Sequence, residues 1–101
     1  MRSRFAAYAL GLVDYIQRTT HPDGPHHQDD RDVWAASILA FSQGTRFQTL
    51  VISEHSQQGD RAWVTFRAGL SQAGQDASFT ERSGFERVDG AWLYRDGEPI
   101  L

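Results

Sequence analysis

The stretch Phe79 to Gly97, reading FTERSGFERVDGAWLYRDG, constrains the fold of this chain more than any other. Asp89-Gly90 stands between two alternating apolar runs. Glycine accepts the positive φ that a type I′ turn requires, so the stretch predicts a β-hairpin. A two-residue loop sets Val88 against Ala91, Arg87 against Trp92 and Phe85 against Tyr94. Because side chains alternate along a strand, one face then carries Phe79, Glu81, Ser83, Phe85, Arg87, Trp92, Tyr94 and Asp96. That face is aromatic, yet it holds a carboxylate and a hydroxyl in mid-strand.

Further strands precede the hairpin. Arg46 to His55 and Arg61 to Leu70 flank a Gln57-Gln58-Gly59-Asp60 turn, and the second run places Ala62, Val64, Phe66, Ala68 and Leu70 on one face. Ser71 to Asp76 is read as a connection. Pairing Leu70 with Ala77 sets Phe66 opposite Glu81 and Val64 opposite Ser83. Before the strands, Phe5, Tyr8, Leu12, Tyr15 and Ile16 recur at helical spacing, from an end that Ser3 is placed to cap. This helix is expected to run through Gly11 and to stop by Thr20-His21-Pro22, since the residue before proline avoids helical geometry. A second helix begins after a cap at Asp29 or Asp30. It carries Trp34, Ile38 and Phe41 on one stripe and ends at Gly44. The order predicts an α+β fold, with two N-terminal helices packed on an antiparallel sheet of about four strands, in a single domain over residues 1–101.

Composition removes several chemistries. With no cysteine there is no disulfide, thiolate zinc site or cysteine nucleophile. All 10 basic residues are arginine, which rules out a lysine Schiff base. A formal charge of −3 argues against general nucleic-acid binding. No run approaches a membrane span and no signal-peptide pattern opens the chain, so a cytoplasmic location is expected. His21, His26 and His27 lie among Asp23, Asp29, Asp30 and Asp32, but their spacing matches no defined metal site. That segment is expected to be a solvated loop that caps a helix, and neither a metal nor another cofactor is predicted.

The chain resembles the YchJ family of bacterial proteins. The matching motifs are Met1-Arg2-Ser3-Arg4 with Phe5, Tyr8 and Asp14-Tyr15, then Thr20-His21-Pro22. At the far end they are Glu81-Arg82-Ser83 with Phe85, then Gly90, Trp92, Tyr94 and Asp96-Gly97. The resemblance implies the central domain of that family, with a nuclear transport factor 2-like fold in which a curved sheet and its helices form a cone around a pocket. Relatives flank this domain with Cys-rich SEC-C motifs; the present sequence contains none, so no role resting on them carries over.

Glu81 and Ser83 are the sharpest candidates for chemistry, because buried carboxylates are rare unless paired. The candidate network comprises Arg2, Arg4, Tyr8, Tyr15, Phe66, Glu81, Ser83, Phe85, Trp92 and Tyr94. In the first reading, Glu81 is an internal anchor bonded to Arg4 or Arg2 and the domain is a small-ligand or protein-binding module. In the alternative, Glu81 is the acid or base of a small isomerase- or dehydratase-like enzyme within the cone. Arg87 beside Trp92 predicts a surface cation–π pair. Tyr8 and Tyr15 are read as core residues whose hydroxyls reach the rim. The opposite sheet face carries Trp63, Val88 and Leu93, a strip apolar enough to predict a homodimer.

Overall fold

The computed structural model describes residues 1–101. Three helices, α1 (Arg2–Leu10), α2 (Val13–Arg18) and α3 (Arg31–Gly44), precede five strands: β1 (Arg46–Gln58), β2 (Arg61–Gln72), β3 (Gln75–Asp76), β4 (Phe79–Val88) and β5 (Ala91–Pro99). The sheet is antiparallel in the order β1-β2-β4-β5, with the short β3 also paired to β2. No helix is long and apolar enough to cross a membrane.

The expected first helix is two helices. Gly11 takes φ 69° and terminates α1, its N–H bonding to the Tyr8 carbonyl, while the Leu12 N–H reaches the Ala7 carbonyl at 2.9 Å. This pair of bonds is the glycine-terminated helix end that left-handed geometry permits. The break separates α1 from α2, yet Ala7 and Ile16 still pack in one cluster with Trp34 and Ile38. Ser3 is not the cap either: α1 starts at Arg2, and the Ser3 hydroxyl accepts from the Tyr15 hydroxyl at 2.5 Å. In α3, Asp30 is the cap, accepting from the Asp32 and Val33 amides at 3.1 Å. Gly44 ends α3 with no left-handed turn, and Phe41, on the expected stripe, stays partly exposed beside buried Trp34 and Ile38.

The register is the one that the alternation predicts. Phe66 pairs with Glu81, Val64 with Ser83, Phe85 with Tyr94 and Val88 with Ala91. Asp89 and Gly90 both have positive φ, 50° and 83°, as a type I′ turn requires. Two departures follow from local backbone. The connection after β2 is a tight turn at Ala73-Gly74, with φ 51° and 79°, which adds the two-residue β3. A bulge in β5 then places Asp96 opposite Gly84 and Gly97 opposite Ser83. Asp96 therefore leaves the face expected for it and Gly97 replaces it there.

Buried apolar residues form two clusters. Ala7, Ile16, Trp34 and Ile38 join the helices, while Phe66, Ala68 and Leu70 line β2 beneath Phe5 and Phe47. A cavity separates them. Thr19 to His21 runs along the free edge of β5, where the Tyr94 N–H donates to the Thr19 carbonyl at 2.7 Å and the His21 N–H to the Tyr94 carbonyl at 2.8 Å. This tie fixes Tyr94 against the helical layer.

Candidate functional site

The cavity between the helices and the concave sheet face has a volume of about 450 Å³. Aromatic and aliphatic side chains dominate its wall, among them Phe5, Tyr8, Trp34, Ile38, Phe66, Phe79 and Tyr94. Arg4, Thr20, His26, Gln28 and Ser37 also reach it, and Glu81 is its one carboxylate. Concave, mostly apolar sites with a few polar groups are the ordinary form of a small-molecule pocket.

Glu81 is half-buried and held from below. The fully buried Ser83 donates its hydroxyl to Glu81 Oε2 at 2.6 Å, and the Tyr94 hydroxyl donates to the same oxygen at 3.2 Å. Both bonds are charge-assisted, the stronger class of hydrogen bond. The carboxylate lies directly over Gly97, where any Cβ would meet its atoms. The β5 bulge thus makes the space in which the carboxylate rests. Glu81 Oε1 receives no hydrogen bond from the chain.

The expected Glu81–Arg4 ion pair does not form. Arg4 is buried, but its terminal NH1 donates to Thr19 Oγ1 at 2.7 Å, Thr20 Oγ1 at 3.2 Å and the Ile16 carbonyl at 3.4 Å. Its guanidinium lies 4.6 Å from the centre of the Tyr94 ring and 5.9 Å from that of Tyr8. Tyr94 therefore stands between the two charges, with its ring facing the cation and its hydroxyl bonded to the anion. The physical reason is reach. The Gly11 break turns the chain back, so that the threonines after α2 meet Arg4 before Glu81 can. Arg2 makes no ion pair and is exposed.

The electrostatics follow from this layout. Burial pushes the Tyr94 phenol above its usual pKa, and the charge and hydrogen bond of Glu81 push it further, against a smaller opposing pull from Arg4. Burial likewise raises Tyr8, with Arg4 opposing. Burial lowers Arg4, partly offset by Tyr8, Tyr94, Tyr15 and Glu81.

The structure separates the predicted residues into two groups. Arg4, Tyr8, Phe66, Glu81 and Tyr94 meet at the first cavity, with Ser83 sealed beneath them. Arg2, Tyr15, Phe85 and Trp92 line a second cavity, which Arg4 also reaches. The Arg87–Trp92 contact is present at 5.1 Å from the ring centre, and Arg87 also pairs with Asp60 at 3.0 Å. On the outer face Trp63 is half-buried, with the Arg82 guanidinium 5.3 Å and that of Arg61 6.0 Å from its ring centre.

The histidine loop departs most from expectation. His21 is buried, not solvated; its Nδ1 accepts from the Asp23 amide at 3.0 Å, so Nε2 carries the proton donated to Glu86 Oε1 at 2.5 Å. Arg95 donates to the same Glu86 oxygen at 3.2 Å. His26 packs against Tyr94 and His27 against Trp34, so the three rings are dispersed and no three His, Asp or Glu side chains gather as a metal site. Thr19, Thr20 and Gly97 are the functional neighbours that sequence reasoning missed. Thr20 and Gly97 lie in the quoted motifs, but motif membership assigns no contact.

The chain matches the family described as YchJ, middle NTF2-like domain, over residues 1–97. It is 39% identical over 102 residues to a UPF0225 protein of Streptomyces coelicolor, covering 97% of this chain and 70% of that protein. A UPF0225 protein of Vibrio vulnificus is 37% identical over 97 residues, covering 96% of this chain. The chain spans 56% of that relative's length. A solution structure of a SEC-C motif containing protein from Rhodopseudomonas palustris aligns with a TM-score of 0.83 at 35% identity, covering all of this chain and 76% of that one. The match extends along almost every residue described above, and the chain belongs to the YchJ family as a middle nuclear transport factor 2-like domain.

Proposed function

We propose that the Glu81 cavity binds a small molecule with an apolar body and a cationic or hydrogen-bond-donating head. One observation carries this reading. A half-buried carboxylate, with Oε2 held by Ser83 and Tyr94 and Oε1 free, borders a cavity of about 450 Å³ that is otherwise largely apolar. A free acceptor beside apolar walls gains a donor from the ligand, and a charged hydrogen bond contributes about 1.5–3 kcal/mol.

Benzylamine, benzyl alcohol and benzoate differ mainly in their heads and serve as probes. Trp34 lines this cavity, so its indole N–H resonance reports occupancy. Benzylamine should shift that resonance and bind about tenfold more tightly than benzyl alcohol, and Glu81→Gln should erase the preference. Equal affinity of all three probes, or a preference untouched by Glu81→Gln, would refute the reading.

A second reading rests on the same free oxygen. An accessible carboxylate oxygen, its partner fixed by two donors, is oriented to take a proton from a bound substrate. The family fold is also used by isomerases and dehydratases. In this reading Glu81→Gln retains ligand binding but lowers turnover roughly 100-fold or more.

A further inference from the structure

The second cavity, about 590 Å³, lies on the other side of Arg4, between the start of α1, Tyr15 of α2 and the β1–β2 and β4–β5 strand pairs. Its charge differs from that of the first. Arg2, Arg4 and His55 line it, and no carboxylate does. Trp92 and Phe85 supply flat apolar walls.

Arg4 makes this more than a basic surface. Its residue is 6% exposed, yet every oxygen it bonds is uncharged: two threonine hydroxyls and one backbone carbonyl. All three bonds come from one terminal nitrogen, leaving Nε and the other terminal nitrogen without a hydrogen bond in the chain. A buried cation without a counter-ion is costly, and stacking on Tyr94 offsets only part of that cost. Glu81 forms no ion pair with Arg4, and its Oε2 accepts from Ser83 and Tyr94 instead. An anion in the first cavity would also meet Glu81, whereas no carboxylate lines the second.

We propose that the second cavity is an anion site for a small aromatic carboxylate. The carboxylate sits at Arg4 and Arg2, and the ring lies against Trp92 and Phe85. A planar guanidinium presents the donors that a carboxylate accepts, and the anion supplies the charge that Arg4 lacks.

The test titrates benzoate into the protein and follows the three indole N–H resonances. Trp92 lines this cavity and Trp34 lines the other, while the Trp63 indole lies on the outer sheet face beside Gly84, so the tryptophans tell the two apart. Benzoate should produce a saturable shift at Trp92 and leave Trp34 in place. Benzyl alcohol should bind about tenfold more weakly. Arg2 is exposed, so Arg2→Glu should fold normally, and it should weaken benzoate about tenfold while Glu81→Gln leaves it unchanged. Any of four results overturns the proposal: no saturable shift, shifts at Trp34 alone, benzyl alcohol binding as tightly as benzoate, or unaltered benzoate affinity in Arg2→Glu.

Discussion

The two cavities share a wall and an arginine, but only the first also holds a carboxylate. Both are built from aromatic side chains contributed by helices and sheet. In the first, the one acid, Glu81, is pinned by neighbours that leave an oxygen free. In the second there is no acid, and Arg4 brings a buried cation with no ionic partner. The difference exists because Tyr94 keeps Arg4 and Glu81 apart. Had they paired, each would have neutralised the other, and the first cavity would hold no free carboxylate and the second no buried cation to offer.

The largest expected effect comes from removing the shared residue. Arg4→Ala deprives Thr19, Thr20 and the Ile16 carbonyl of their donor and empties space beside Tyr94, at a cost of about 3 kcal/mol. Both threonine hydroxyls already donate within α2, to the Tyr15 and Ile16 carbonyls, which keeps the figure moderate. Urea denaturation measures it. A loss below about 0.5 kcal/mol, the level of an ordinary surface substitution, would remove Arg4 from the centre of the comparison.

A smaller effect separates the cavities by pH. Tyr8 and Tyr94 both have folded pKa values raised above the ordinary 10.0, so their protonated forms are favoured in the fold. That contribution is complete below pH 10 and is lost as pH rises beyond it toward the folded values. Stability should therefore decline above pH 10, and less so in Tyr94→Phe, which removes one of the two groups. Ultraviolet titration of the native protein should show Tyr8 and Tyr94 ionising above the ordinary value. If Tyr94 titrates near 10, the sealed environment around it is absent.

The sheet was legible in the sequence because its rules are local. Period-two alternation put Phe66 opposite Glu81, and Asp89-Gly90 set the hairpin register that brings Phe85 to Tyr94. The misses occur where one residue redirects everything after it. Gly11 carries only a modest helix penalty, and nothing in the flanking residues says that it will terminate α1. Ala73 is an unusual occupant of a left-handed turn, so β3 gave no signal. The bulge in β5 exchanges Asp96 for Gly97 on the inner face, and alternation carried past it misplaces both.

The site shows the same division. Glu81, Ser83 and Tyr94 could be assigned to one face from their spacing, and they meet there. That Arg4 would turn to the threonines instead of Glu81 depends on where Thr19 and Thr20 lie after the break at Gly11. Sequence distance does not encode that. His21 was hidden by company: a buried imidazole bonded to Glu86 lies within a segment whose other residues are mostly solvated.

Double-mutant cycles test the separation of Arg4 from Glu81 most directly. Stability is measured for Glu81→Gln, Tyr94→Phe and Arg4→Met, and for the two doubles that contain Glu81→Gln. The structure predicts a Glu81–Tyr94 coupling of about 1–2 kcal/mol, from a hydrogen bond to a charged oxygen, and a Glu81–Arg4 coupling below about half of that. A Glu81–Arg4 coupling of about 3 kcal/mol or more, as a buried ion pair would give, with little coupling to Tyr94, would contradict it.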